Sequence, residues 1–159
     1  MIYEEEIGKI LIKKGLTIAT TESCTGGLLS SKLTDVSGSS AYIMLNLVTY
    51  ANEAKHKMLG VNEETLKNYG AVSEQCAREM ANGLHNLTGA DICVSTTGIA
   101  GPTGGSEEKP VGLMYSAIYF EGKIEVYKIQ IDSSTPRVEM KEKFVQKVLE
   151  NVYEKINNI

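Results

Sequence analysis

The chain has 159 residues, 42% of them hydrophobic and 23% charged, with only three prolines. That composition excludes a disordered tail, a collagen-like repeat and a low-complexity chain, and it fits one globular domain over residues 1–159. A net charge of −4, with Lys and Arg spread thinly from Lys9 to Lys155, makes no basic stripe for a phosphate backbone, so nucleic acid is not an expected partner.

At the N-terminus, Tyr3, Ile7, Ile10 and Leu11 recur at helical spacing, with Glu4 to Glu6 early, Lys13 and Lys14 late, and Gly15 as the stop. Acids stand where a signal peptide needs basic residues, and no apolar run is long enough to span a bilayer. The expectation is a cytoplasmic protein with reduced thiols and no membrane partner. Residues 17–21 are rich in β-branched types and predict a strand, followed by a tight Glu22-to-Gly27 turn and a helix carrying Leu28, Leu29 and Leu33. Residues 41–50 are apolar almost throughout, interrupted by Asn46, which predicts a strand covered on both faces. Helices are expected at 52–59, capped by Asn52, from Asn62 to Gly70, and from Ser73 to about Leu87. A strand at 90–97 opens into the glycine-rich loop 98–105. Two strands, 111–120 and 124–131, form a hairpin, with a slip in alternation between Val126 and Tyr127 that suggests a bulge. Thr135 and Pro136 then cap and start a C-terminal helix. The order predicts an α/β fold, a three-layer α/β/α sandwich around one mixed, mostly parallel five-stranded sheet, without internal repeat or linker.

Ligands in such sheets collect at the C-terminal strand ends. Segments 21–27, 50–55 and 96–105 fall there. Ser23 at a strand-to-helix turn follows the logic of an exposed nucleophile beside backbone oxyanion donors, here the amides of Cys24, Thr25, Gly26 and Gly27, although the sequence is not Gly-x-Ser-x-Gly. Serine is equally a common helix cap. The histidines are poor partners: His85 lies late in a helix, and His56 points about 100° away from Lys55. Lys55 sits in a first helical turn, where the dipole lowers its pKa. To act as a base near pH 7 it must fall about three units, a cost of about 4 kcal/mol that requires burial or another cation nearby, and Glu53 must face away. The alternative is a solvated surface lysine. Tyr50 offers a proton relay or simple packing. Thr97, Gly98 and Gly101 belong to a loop suited to binding a phosphate or carboxylate, and Arg137 carries a planar fork for an anion or is an ordinary surface residue. Cys24 is a rival nucleophile. Cys76 and Cys93 read as core. The three cysteines and two histidines have no metal-like spacing, so neither a metal nor a cofactor is expected.

Taken together, Thr21-Glu22-Ser23-Cys24-Thr25-Gly26-Gly27, Thr34-Asp35-Val36-Ser37-Gly38-Ser39-Ser40, Val48-Thr49-Tyr50-Ala51-Asn52-Glu53-Ala54-Lys55, Gly70-Ala71-Val72-Ser73 and Thr97-Gly98-Ile99-Ala100-Gly101-Pro102 resemble the CinA C-terminal-domain family, in its order and over nearly the whole chain. The resemblance implies the same three-layer fold and hydrolysis of the carboxamide of nicotinamide mononucleotide to nicotinate mononucleotide and ammonia, in pyridine nucleotide salvage and without metal. It further implies Ser23 as nucleophile, Lys55 as general base and Tyr50 as a catalytic aid. The chain departs from the family pattern at Ser37, where proline is common, at Leu45 and Asn46, where two glycines are, and at Thr103, where glycine is; the last two departures are expected near the pocket. The family's larger N-terminal domain, linked to nucleotide pyrophosphatase activity, is expected to be absent in a stand-alone form. A small nucleotide substrate and a homodimer complete the expectation. A non-catalytic nucleotide-binding module and an amidase for another small amide are the competing readings.

Overall fold

The computed structural model describes residues 1–159. Helix α1 (Tyr3–Lys14) ends at Gly15, whose left-handed φ lets its amide cap the last carbonyls. Strand β1 (Ile18–Glu22) is buried throughout and leads through residues 23–27 into helix α2 (Leu28–Thr34). A 3-10 turn (Ser39–Ala41) precedes β2 (Ile43–Val48). Helices α3 (Asn52–Leu59), α4 (Glu63–Tyr69) and α5 (Glu74–Thr88) follow, then β3 (Ile92–Gly98), the hairpin strands β4 (Leu113–Phe120) and β5 (Lys123–Gln130), and helix α6 (Arg137–Asn157).

The strand order is β2-β1-β3-β4-β5. Strands β2, β1 and β3 are parallel, β4 is antiparallel to β3, and β5 is antiparallel to β4, so four of the five strands point the same way. Residues alternate across the sheet. Ile18, Ile92, Val94, Met114 and Ile118 join Ile7, Leu11, Leu29, Leu33, Phe144, Val148 and Val152 in the main core, which is shared with α1, α2 and α6. Ala19 and Cys93 pack on the other face with Leu59 of α3 and Cys76, Met80 and Leu84 of α5. The expected three-layer sandwich with a mixed sheet is the observed architecture.

Four local expectations are corrected. Strand β2 is an edge strand and not covered on both faces: Met44 and Val48 are 51% and 52% exposed. Its register with β1 also skips Met44, since Ile18 opposes Ile43 but Ala19 opposes Leu45. Asn46, the polar interruption, accepts a hydrogen bond from the Thr20 hydroxyl at 2.8 Å. The hairpin has no bulge; its register runs unbroken from Leu113 opposite Gln130 to Phe120 opposite Lys123. The alternation slips because both faces of β5 are covered, Ile124 and Val126 packing with Ala77 and Ala81 of α5, Tyr127 and Ile129 with the α6 core. Helix α3 is capped by Ala51 and begins at Asn52, and α6 is preceded by Pro136 without a Thr135 side-chain cap. Asn62 and Ser73 do cap α4 and α5, accepting from the amides of Glu64 and Cys76.

Candidate active site

The C-terminal ends of β1, β2 and β3 meet at one end of the sheet, and the segments that leave them build a single site. Ser23 continues β1: its amide donates to the Thr96 carbonyl at 3.1 Å, which holds it against β3. The chain then turns sharply. Gly26 donates to the Ser23 carbonyl at 3.0 Å, and Gly26 and Gly27 have φ of 60° and 103°, a left-handed pair that a side chain would strain. The buried Glu22 carboxylate fixes the far side of the turn by accepting from the amides of Leu29 and Ser30 and from the hydroxyls of Thr25 and Ser30, at 2.5–3.0 Å. An acid at the start of α2 suits both its dipole and its unpaired amides. Thr25 in turn bonds Thr96 at 2.8 Å, so β1, β3 and α2 are tied beneath the serine.

Lys55 occupies the first turn of α3, with its amide bonded to the Ala51 carbonyl at 3.1 Å. Its side chain is 1% exposed. Nζ lies 3.1 Å from Ser23 Oγ and donates to the Tyr50 carbonyl at 2.9 Å. No carboxylate is within ion-pair distance, because Glu53 turns outward to Lys57 at 2.7 Å. Burial pushes the Lys55 pKa below its ordinary value of 10.5, with the neighbouring Cys76 and Cys24 thiols opposing weakly. A buried amine without a counter-charge favours its neutral form, and the neutral form is the one that accepts a serine proton.

The Tyr50 phenol does not reach this pair. The residue is 59% exposed and its hydroxyl accepts from Arg137 at 3.3 Å; it is the Tyr50 main-chain carbonyl that faces Lys55 and, at 3.4 Å, accepts from Ser23 Oγ. Cys24 loses its standing as a nucleophile. Burial, reinforced by the Glu22 charge, pushes its thiol up to about 12, whereas a nucleophilic cysteine needs a thiolate. The histidines lie elsewhere: His85 stacks on Tyr119 with ring centroids 3.8 Å apart, and His56 Nδ1 is 2.7 Å from the Val61 carbonyl.

Among the expected oxyanion donors, Gly26 is already committed to the turn, while the amides of Cys24, Thr25 and Gly27 have no acceptor in the chain. Cys24 and Thr25 directly follow the serine in the chain, the placement of an oxyanion donor in an exposed-nucleophile turn. A cavity of about 250 Å³ opens over Ser23 and Lys55, walled by Ala71 and Val72 from the α4–α5 connection and by the loop after β3. Gly98, Gly101 and Gly104 line it. The amides of Ala100, Gly101, Thr103 and Gly104 donate to nothing in the chain. Thr97 also lines the cavity, but its hydroxyl is spent on the Ala71 carbonyl at 2.8 Å. Arg137 closes one side, donating to the Gly101 carbonyl at 2.7 Å. Thr103 is on the lining. Leu45 and Asn46 lie within β2 and are not, against expectation.

Glu22, Thr96 and the Ala71–Val72 wall belong to the site without any role that the local sequence assigns them. An acid directly before the serine and seven residues before Leu29 was the available signal for Glu22. Thr96 and Ala71 reach the site through sheet order and a helix connection, which no local pattern reports.

Comparison with known proteins shows the family and the fold. The CinA C-terminal domain pattern matches residues 2–156. A CinA-like protein from Kosmotoga olearia is 52% identical over 135 residues, 85% of this chain and 33% of that protein. A CinA-like protein from Chloroherpeton thalassium is 56% identical over 124 residues, covering 78% of this chain and 30% of that one. The chain thus spans about a third of the length of the curated relatives it matches. Among solved structures, the competence/damage inducible protein CihA from Agrobacterium tumefaciens superposes with a TM-score of 0.90 at 41% identity, covering 99% of this chain and 96% of that one. A competence-damaged protein (CinA) superfamily protein from Klebsiella pneumoniae superposes at 0.93 with 33% identity, over 99% and 97% of the two chains.

Proposed function

The chain belongs to the CinA C-terminal domain family, and from that premise and the Ser23–Lys55 pair we propose that it is an amidase that hydrolyses the carboxamide of nicotinamide mononucleotide to nicotinate mononucleotide and ammonia. The observation that carries this reading is a lysine 1% exposed, without a counter-charge, 3.1 Å from a serine hydroxyl at the floor of a cavity. A module that merely bound nucleotides would have no use for a buried amine there.

In the proposed reaction neutral Lys55 accepts the Ser23 hydroxyl proton as Oγ attacks the carboxamide carbon. The oxyanion forms opposite the Cys24 and Thr25 amides. The carbon–nitrogen bond then breaks, with the Lys55 ammonium returning its proton to the departing nitrogen, so that ammonia leaves and an acyl ester remains on Ser23. Water attacks the ester, Lys55 takes one of the water's protons and passes it to Ser23 Oγ, and the carboxylic acid is released and loses its remaining proton to solvent. The Tyr50 carbonyl keeps Nζ aimed at the serine throughout, a positioning role for the main chain in place of the phenol.

The test is incubation of the purified chain with nicotinamide mononucleotide, with ammonia and nicotinate mononucleotide measured together. Equimolar appearance of the two is the expected result. A folded protein that binds the nucleotide but releases neither product would replace the amidase with a nucleotide-binding module, and turnover of other small amides in preference to the nucleotide would move the substrate elsewhere.

A further inference from the structure

Glu22 directly precedes the nucleophile, is 0% exposed, and meets no lysine, arginine or histidine within ion-pair distance. A buried carboxylate without a counter-charge is costly, and a neutral side chain would brace a strand end more cheaply. Each of its two oxygens is filled by one main-chain amide and one hydroxyl. Oε1 accepts from the Leu29 amide at 2.8 Å and the Thr25 hydroxyl at 2.6 Å, Oε2 from the Ser30 amide at 3.0 Å and the Ser30 hydroxyl at 2.5 Å. A hydroxyl has only one proton to give. Thr25 spends its own on Glu22, so the 2.8 Å bond between Thr25 and Thr96 is donated by Thr96, and Thr96 Oγ1 turns only lone pairs toward the Ser23 amide 3.3 Å away. The Ser23 amide, Thr96, Thr25 and Glu22 thus form one hydrogen-bond chain whose direction is set by the carboxylate at its end.

We infer that Glu22 is a positioning residue of the reaction, whose carboxylate claims the donors around it and so leaves the Cys24 and Thr25 amides to the oxyanion; the inference rests on the Ser23–Lys55 reading above. Glu22 touches neither substrate nor reacting atom. Between Cys24 and Ser31, Gly26 donates to the Ser23 carbonyl, Leu28 to that of Thr25 and Ser31 to that of Gly27, while Leu29 and Ser30 donate to Glu22. Only the amides of Cys24, Thr25 and Gly27 stay open. Glutamine has the shape of Glu22 but cannot take its place. Whichever way its amide is turned, the NH2 group meets a main-chain N–H and a hydroxyl that has lost its acceptor. Turned toward Thr25, it reverses the chain, and the Thr96 proton then points at the Ser23 amide. The turn that carries the nucleophile and its oxyanion donors must shift to relieve either clash.

The measurement is kcat and KM for ammonia release from nicotinamide mononucleotide in the parent, Glu22→Gln, Thr25→Val and Leu33→Ala, with melting temperatures alongside. The rate at which p-nitrophenyl acetate acetylates Ser23 is followed in the same proteins by mass spectrometry. Glu22→Gln lowers kcat by about 10²-fold or more with KM within about twofold, the pattern of donors lost in the transition state alone. Thr25→Val cuts the chain but spares the amide bonds of the carboxylate, and lowers kcat by about tenfold; it decides alone should Glu22→Gln fail to fold. Leu33→Ala, in the core under the same helix, melts lower but keeps its kcat. Full kcat in folded Glu22→Gln or Thr25→Val, a loss confined to KM, or an equal loss of kcat in Leu33→Ala would overturn the assignment. If the parent is acetylated at Ser23 but releases no ammonia, the nucleotide reading fails alone, and the acetylation rates, expected to fall in the same order, decide the role of Glu22. A parent that does neither has no nucleophile at Ser23, and the inference falls with it.

Discussion

Lys55 concentrates the energetics of the site in one side chain. Its amine is removed from water without a carboxylate, so the fold holds its pKa below 10.5 while the unfolded chain restores the ordinary value. Between those two pKa values the unfolded state binds the extra proton, and the stability of the parent therefore rises with pH through that window; below it the penalty is constant. Lys55→Met removes the amine at similar volume. It should melt above the parent at pH 7, and the gap should close as pH rises toward 10, by about 1.4 kcal/mol for each unit of pKa depression. A gap independent of pH would mean that Lys55 titrates normally. The same shift sets the sign for catalysis: kcat/KM should rise with pH along an acid limb whose midpoint lies below 10.5. The candidate nucleophile and base were both legible in the sequence. Ser23 stood at a strand-to-helix turn and Lys55 in a first helical turn, and the two loops had to converge if their strands were parallel. What local pattern could not report was the burial of Lys55, which is contributed by α5 packing over α3, or that Tyr50 would use its carbonyl and send its phenol to Arg137.

At the level of elements, the position of Lys55 depends on how closely α3 approaches α5. Gly83 is the contact. A Cβ there would lie 1.8 Å from the Leu59 carbonyl, one helical turn beyond Lys55, so no side chain fits without pushing the helices apart. Gly83→Ala should cost about 1–3 kcal/mol or more, a melting point lower by several degrees. Because α3 carries the base, kcat should also fall by about tenfold or more in protein that is still folded, since small displacements of a catalytic group are expensive. Retention of full kcat despite lost stability would separate the packing from the chemistry. The errors in reading elements have a common origin. Strand β2 carries Ile43, Met44, Leu45, Leu47 and Val48 and so has the apolar content of a central strand, yet it lies at the edge, because strand order is decided by which helices cross over and not by any strand's own composition. The slip at Val126 and Tyr127 recorded two helices covering the two faces of β5, which a half-buried template reads as a bulge.

Across the whole molecule, the site is an assembly of parts distant in sequence. Ser23 comes from the end of β1, Lys55 from α3 after β2, the amide-rich loop from the end of β3, and Arg137 from α6 on the opposite face of the sheet from α3. Nothing in any one segment makes an active site. Three parallel strands bring the loops together, and the buried Glu22, Thr25 and Thr96 hold them at fixed spacing. The layered architecture was readable from the alternation of elements, and the motifs carried the family; the cavity's wall at Ala71 and Val72 emerges only once the chain is folded. The central claim is that Ser23 and Lys55 act as one nucleophile–base unit. It is tested most directly by following ammonia release from nicotinamide mononucleotide in the parent, Ser23→Ala, Lys55→Met and the double variant, each verified as folded by circular dichroism. Either single substitution should lower kcat by at least about 10³-fold, and the double variant should be little worse than either, as groups acting as a unit behave. Activity that survives in folded Ser23→Ala, or losses that simply multiply in the double variant, would contradict it.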